Sequence, residues 1–264
     1  MEFYTLASSS AGNAALVRSG GTTLLIDAGI SARRIAQSLA ALGLTPDALD
    51  AVLITHEHSD HIRGLATLTK KYPVAVCATR GTARCLPCAA ESIRVFDAGD
   101  AFPIGSLTVR SFRTSHDAAD SVDYRIDAPD GSVGFLTDTG YVTGDAVDAL
   151  TGVDALLLEA NHDVDMLRCG PYPYHLKQRI LSDHGHLSND AAADFALHCA
   201  ENGTRDVLLA HLSAENNTPT TAEYAVARRL QAAGFSLRLA VAPRDCLSDL
   251  HEVNRLCKKS LSFA

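Results

Sequence analysis

Three histidines and two acids occupy seven consecutive residues, Thr55-His56-Glu57-His58-Ser59-Asp60-His61, directly after the apolar run Ala51-Val52-Leu53-Ile54. The aliphatic run reads as a buried strand. If that strand continues to His58, the period of two makes His56 and His58 project together from its C-terminal end. Asp60 and His61 follow where the chain turns into the helical pattern Ile62, Leu65, Ala66, Leu68, Thr69, and they face the same space. A lone histidine there would be an ordinary surface residue. A packed core has no use for this many, and neutral imidazole with carboxylate is the usual ligand set of catalytic zinc-type sites. The run therefore predicts one metal position with a second beside it.

At 264 residues the chain can bury a sizeable core, and the repeated order of strand, turn and helix favours one α/β domain over 1–264. The 23 basic residues less 31 acidic ones give a net charge of -8, with a pI near 5.7, so no global basic field draws in nucleic acid. Any polyanion must be gripped locally. Seven cysteines at uneven spacing, with no basic-then-apolar leader, predict a reducing cytoplasm. No apolar run reaches membrane-spanning length, so no membrane partner is expected.

Phe3–Leu6, Ala14–Val17 and Thr22–Ile26 read as strands, the last after the Gly20-Gly21 turn. Between the first two, Ser8-Ser9-Ser10-Ala11-Gly12-Asn13 is either a plain polar connection or a set of hydroxyls and free N–H groups able to hold an oxyanion. Helices are expected over 31–42, 61–72, 80–90, 190–201 and 220–233. Further strands are expected at 74–78, 93–96, 107–112, 122–126, 133–136, 153–158, 206–210 and 237–242. The Cys85-Leu86-Pro87-Cys88 pair lacks partners for a zinc set and reads as small buried residues without chemistry. Strands and helices suggest a weak division into 1–115 and 116–242, and the tail from Asp249 is too mixed to assign.

The run resembles the His-x-His-x-Asp-His signature of the metallo-β-lactamase-fold hydrolases. That resemblance calls for an Asp, a His, an Asp and a His further along or before it, each at a strand end. Asp27 in Leu24-Leu25-Ile26-Asp27-Ala28-Gly29, His116 in Thr114-Ser115-His116-Asp117, Asp138 in Leu136-Thr137-Asp138-Thr139-Gly140 and His211 in Leu208-Leu209-Ala210-His211-Leu212-Ser213 answer it in order. It implies a four-layer αβ/βα sandwich, two mixed sheets with helices outside. It also implies two divalent ions, zinc or manganese: one on His56, His58 and His116, the other on Asp60, His61 and His211, bridged by Asp138. Asp27 would orient a metal-binding His rather than bind metal itself. The family's nucleophile is a hydroxide bridging the two ions. Its antibiotic-hydrolysing members commonly lack the last His of the run and carry Cys at the Asp138 position, so β-lactam hydrolysis is not expected.

The Ser-Ser-Ser-x-Gly-Asn start, the His-rich run, Glu159-Ala160-Asn161-His162-Asp163, Gly185-His186-Leu187-Ser188-Asn189 and Ala210-His211-Leu212-Ser213 together resemble the YycJ/WalJ-like group, associated with exonuclease action on DNA. This implies phosphodiester hydrolysis of DNA in preference to RNA, or of a small phosphodiester. Glu159, Gly185-His186-Leu187-Ser188 and Ala210-His211-Leu212-Ser213 also resemble the late region of the phosphodiesterase branch that includes tRNA 3′-processing ribonucleases, which implies that His186 protonates the leaving oxygen with Glu159 orienting it, alongside Asp60. The plain alternative is that His186 caps its helix and Glu159 binds a backbone amide. Ser10, Asn13, Asn161, His162, Ser188 and Ser213 are the candidate substrate contacts. Arg168, Lys177 and Arg179 supply local positive charge or are solvated helix residues. The competing readings are a thioesterase of the glyoxalase II type and a non-catalytic nucleotide- or partner-binding regulator.

Overall fold

A computed structural model of the chain describes residues 1–253. The first sheet holds β1 (Glu2–Ala7), β2 (Ala14–Ser19), β3 (Thr22–Ile26), β4 (Ala51–Leu53), β5 (Ala75–Thr79) and β6 (Ile93–Phe96). The second holds β7 (Ala101–Ile104), β8 (Leu107–Arg113), β9 (Val122–Ala128), β10 (Gly131–Leu136), β11 (Ala155–Glu159), β12 (Asp206–Ala210) and β13 (Arg238–Val241). β14 (His251–Glu252) returns to the edge of the first, beside β1. The spatial orders are β14-β1-β2-β3-β4-β5-β6 and β13-β12-β11-β10-β9-β8-β7. Each sheet thus begins with antiparallel hairpins and continues as parallel strands from β3 to β6 and from β10 to β13.

The parallel strands explain the uninterrupted apolar runs in the sequence. Parallel strands covered on both faces have no solvent side to alternate with, and β3, β4, β10, β11 and β12 are buried at every position. Between the sheets, Phe3, Val17, Leu24 and Leu53 meet Val109, Tyr124, Phe135, Leu157 and Leu208 in one apolar core. Outside the first sheet lie α1 (Ala32–Ala41), α2 (Ser59–Ile62), α3 (Leu65–Lys71) and α4 (Arg80–Ala83). Ile35, Leu39, Leu65 and Leu68 from this layer pack on Leu25, Val52 and Val76. Following the second sheet come α5 (Gly144–Leu150), α6 (Val164–Cys169), α7 (Tyr174–Ile180), α8 (Asn189–Glu201) and α9 (Pro219–Ala232). From α5, α8 and α9, Leu150, Phe195, Val226 and Leu230 pack on Leu156, Leu158, Val207 and Leu209. The expected αβ/βα sandwich is the observed one.

Several expectations are corrected. The division between sheets falls between Phe96 and Ala101, not at 115, because β8 pairs with β7 and β9 and not with the first sheet. β7 escapes the alternation test because it is an exposed edge strand carrying Pro103, as such edges permit. The helix expected over 61–72 is two. Gly64 breaks it where the chain crosses the α1 entry: its N–H donates to Ala28 O at 2.8 Å, and a Cβ there would lie 2.0 Å from Ile30 O. The helix expected over 80–90 stops at Ala83. Cys85 is consequently exposed and Cys88 half-buried, both free thiols rather than buried packing residues. α6 was not anticipated. β14 supplies structure in a tail that looked featureless, and the residues after Val253 lie outside those described.

One polar link ties the sheets together beneath the His-rich run. The buried Tyr124 hydroxyl on β9 donates to Ile54 O, after β4, at 2.6 Å. Tyr124→Phe should lower stability by about 1–2 kcal/mol, since it strips a buried carbonyl of its partner while keeping the packing. Chemical denaturation with an unchanged m-value would check this.

Candidate metal centre

Every side chain the sequence singles out as a ligand lies at one rim of the sandwich. Asp27 follows β3, the His-rich run follows β4, Asp138 follows β10, Glu159 ends β11 and His211 follows β12. These are the carboxyl ends of parallel strands, where open α/β sheets present their ligand sites. His116 arrives from the loop between β8 and β9.

The His-rich run itself is not extended strand. β4 stops at Leu53 because the Thr55 N–H is taken by Asp27 Oδ1 (2.9 Å), and the Thr55 carbonyl by Val122 N–H (3.1 Å). His58 occupies the residue before α2. The imidazoles converge all the same, with His56 and His58 ring centroids 4.6 Å apart and His56 and His61 4.1 Å apart.

Donor atoms of His56, His58 and His116 lie within 4.8 Å of one another, as do those of Asp60, His61 and His211. Asp138 falls between the groups. Its Oδ2 is 3.0 Å from His61 Nε2, out of line for a hydrogen bond, and its Oδ1 is 3.5 Å from His211 Nδ1 and 3.7 Å from His116 Nε2. Three donor atoms at this point, His56 Nε2, His211 Nε2 and Asp138 Oδ2, are buried without any hydrogen-bond partner. Orphaned buried polar atoms are costly, and a cation is what this imidazole and carboxylate set would pair with. The residues present therefore fit divalent metal.

The opposite ring edges are held from behind, as metal-binding imidazoles require. Asp27 Oδ2 is 2.7 Å from His61 Nδ1 and accepts from the Thr55 hydroxyl at 2.9 Å. That hydroxyl in turn lies 3.0 Å from His56 Nδ1. Glu159 Oε1 is 2.8 Å from His211 Nδ1, and Gly185 O is 3.2 Å from His116 Nδ1. Thr55 was not anticipated as a holder of three site residues. Nor was Ser8, whose Oγ accepts from His211 N–H at 2.8 Å. The first stands inside the His-rich run and the second in the Ser-rich loop, but neither residue type signals such a role on its own.

The backbone carries the cost of this placement. Among the described residues, Asp27, Asp138 and His211 are the non-glycine residues with positive φ, at 60°, 50° and 56°. Left-handed conformation costs a residue with a Cβ about 1 kcal/mol. That it falls on three strand ends aimed at one point marks the centre as the feature the local structure serves.

Charge follows from the same crowding. Burial, and then the neighbouring His61, push the His56 imidazole well below its ordinary pKa, which keeps it a neutral ligand. Burial opposes ionisation of Asp138, yet His211 and His61 hold it well below the usual carboxylate range. Burial likewise opposes charge on His211, but Asp138, Asp60 and Glu159 raise it to about 10 without metal. Cations would take the place of such protons, so binding should release them.

His186 adjoins these groups, with a donor atom within 4.8 Å of those of Asp138, Glu159 and His211. Its Nδ1 is 2.9 Å from Glu159 Oε1 and 3.4 Å from Asp138 Oδ1, and its side chain is 19 % exposed where that of His211 is 1 %. Burial lowers its pKa, but Glu159 more than reverses this and holds it above the ordinary value. Glu159 thus serves two histidines. Its Oε2 also accepts from Thr139 and Leu187 N–H, both at 3.1 Å, and its pKa is lowered to about 2 although burial opposes that. Ser188, and not His186, caps α8 by accepting from Ala191 N–H.

The candidate substrate contacts divide. Ser10 is exposed in its loop, and Asn13 Nδ2 reaches the centre, 3.4 Å from Asp60 Oδ2 and 3.2 Å from His61 Nε2. The others are not brought to a cleft surface. Asn161 is buried and donates to His211 O at 2.9 Å, Ser213 is buried and accepts from Asn216, and the Ser188 hydroxyl is spent on its cap. His162 is buried with both ring nitrogens unpaired, and burial lowers its pKa to about 4.

Close approach of backbones leaves no freedom around Asp60. A Cβ at Gly29 would lie 1.6 Å from the Asp60 carbonyl oxygen. Gly29→Ala should destabilise the metal-free protein by about 3 kcal/mol, the upper range for overpacking because backbone must move, and should weaken metal binding. Thermal unfolding with and without metal checks both.

A model of the β-lactamase superfamily domain matches residues 22–212, from β3 to just past His211. The chain belongs to the β-lactamase superfamily. Within that superfamily, it is 39% identical over 243 residues to the exodeoxyribonuclease WalJ of Streptococcus pneumoniae, covering 89% of this chain and 90% of the relative. It is 37% identical over 242 residues to the exodeoxyribonuclease YycJ of Bacillus anthracis, covering 90% and 92%. Among solved structures, the metallo-β-lactamase fold protein YhfI of Bacillus subtilis superposes with a TM-score of 0.71 at 18% identity, over 94% of this chain and 100% of that one.

Proposed function

We propose that the chain is a metal-dependent phosphodiesterase that removes nucleotides from DNA, with two divalent ions, zinc or manganese, held by His56, His58 and His116 and by Asp60, His61 and His211, and shared by Asp138. The observation that carries this is the Glu159–His186 pair beside the ligand cluster, in a chain whose relatives over nine-tenths of its length are exodeoxyribonucleases. Divalent ions at such a cluster acidify water and neutralise charge on phosphate oxygens. The protein supplies the rest. Asp27, Thr55, Glu159 and Gly185 fix the imidazoles, and His186 presents its free Nε2 toward a departing oxygen. Asn13 Nδ2 donates to Asp60 Oδ2 and would steady that carboxylate. The six described cysteines are unpaired, which supports a reducing, cytoplasmic location, and no helix among the described residues is long and apolar enough to cross a membrane.

Metal-loaded protein incubated with end-labelled DNA should release nucleotides stepwise from one end and stop on chelation. Equal digestion of RNA would withdraw the preference for DNA. Hydrolysis of a glutathione thioester without diester cleavage would replace the reading with a thioesterase.

A further inference from the structure

An acidic chain that handles a polyanion needs cations at the site itself, and the three basic residues of the α6–α7 region are not equivalent. Lys177 Nζ donates to Arg168 O at 2.7 Å, tying α7 to α6. Arg179 instead donates through Nε to Asp117 Oδ2 at 2.7 Å, and Asp117 Oδ1 is 3.4 Å from the metal-site histidine His116. Among the described residues the Arg179 guanidinium makes no other hydrogen bond. Its two terminal nitrogens remain available, on a side chain 53% exposed. Asp117, and more weakly Asp138 and Asp60, raise its pKa, which sets the guanidinium within electrostatic reach of the centre.

Arg179 begins a segment stitched to the site along its length. Ser115 Oγ donates to Asp183 O at 2.7 Å, Gly185 O meets His116 and His186 meets Glu159. Gly140, two residues after Asp138, lies so close that a Cβ would be 2.3 Å from the Asp183 carbonyl. That contact sets Tyr141 on the same rim, its carbonyl accepting from Thr139 Oγ1 at 2.6 Å. Tyr141 is 49% exposed, and its ring stacks on no other ring among the described residues.

We propose that Arg179 and Tyr141 form a nucleotide subsite beside the metal centre, the guanidinium taking a phosphate next to the bond that is cut and the phenol ring stacking on the adjoining base. A free planar fork suits phosphate, and an exposed aromatic face accepts any base. The subsite accordingly favours an unpaired strand end. This inference rests on the nuclease reading above.

The test measures hydrolysis and binding of a fluorescent single-stranded oligonucleotide beside hydrolysis of bis(p-nitrophenyl) phosphate, which has no neighbouring nucleotide. Arg179→Ala and Tyr141→Ala should each raise the oligonucleotide KM and Kd about 10-fold or more, with the smaller part of the loss in kcat. Arg179→Lys should fall between, and the salt slope of binding should drop by about 0.7 in Arg179→Ala. Equal loss on both substrates together with lost metal would overturn the proposal, assigning Arg179 to support of His116 through Asp117. Unchanged oligonucleotide binding in both variants would overturn it as well. Wild type that binds but does not cut DNA would remove the nuclease reading and leave the subsite standing on the variants' weaker binding. Wild type that neither binds nor cuts would remove both.

Discussion

Asp138→Asn should reduce hydrolysis of DNA by at least about 10³-fold and leave the protein folded with fewer than two bound metal ions. The size of the effect follows from what this carboxylate touches. It is buried, it is the group within reach of His61, His116, His186 and His211 together, and one of its oxygens has no hydrogen-bond partner. Asparagine keeps the volume, keeps one oxygen and tolerates the positive φ of 50° found there. What it removes is the negative charge that two cations would share, and with it the acidification of water on which metal-dependent hydrolysis depends. Elemental analysis with circular dichroism separates this from unfolding. Full metal content with turnover within about 10-fold of wild type would show that Asp138 is not the shared ligand.

The candidate ligand cluster was legible because these residue types have few other uses where they stand. Three histidines and an aspartate at a strand end serve no packing purpose, so His56, His58, Asp60 and His61 declare themselves, and the family resemblance points in order to Asp27, His116, Asp138 and His211, which the fold brings to the same rim. Their convergence has another cause than the period of two that the sequence suggests for His56 and His58: Asp27 and Val122 capture Thr55 and end the strand early. The substrate contacts were legible only as a polar supply. Asn161, Ser188 and Ser213 have hydroxyls or amides like any contact residue, and only three-dimensional neighbours reveal that helix capping and loop closure consume them. Arg179 shows the reverse. In sequence it is one of three basic residues on consecutive helices, and the Asp117 contact across 62 positions is what singles it out. The sheet boundary failed for a related reason. Alternation identifies a strand but not its partner, and an edge strand with a proline barely alternates.

His186→Ala should lower turnover of DNA by about 10²–10³-fold while leaving metal content unchanged, and should lower turnover of bis(p-nitrophenyl) phosphate far less. The contrast in leaving groups decides the role. A deoxyribose oxygen leaves as a strongly basic alkoxide unless a proton reaches it, so a positioned acid contributes about 10²–10³-fold, within the range such catalysis spans. Nitrophenolate leaves without that help. His186 is suited to the task because its Nδ1 is engaged by Glu159 and its pKa stands above the ordinary value, which favours the protonated form. A group with raised pKa acts as an acid below that pKa and fails above it, so wild-type DNA turnover should decline as pH rises through that pKa and the variant should lack that limb. Glu159→Gln would be a poor substitute for the experiment. Glu159 also holds His211 at 2.8 Å, and its loss would disturb the metal site together with the acid. If His186→Ala slowed both substrates equally, the imidazole would be serving the centre's geometry, and the leaving oxygen would be protonated by another group or by water.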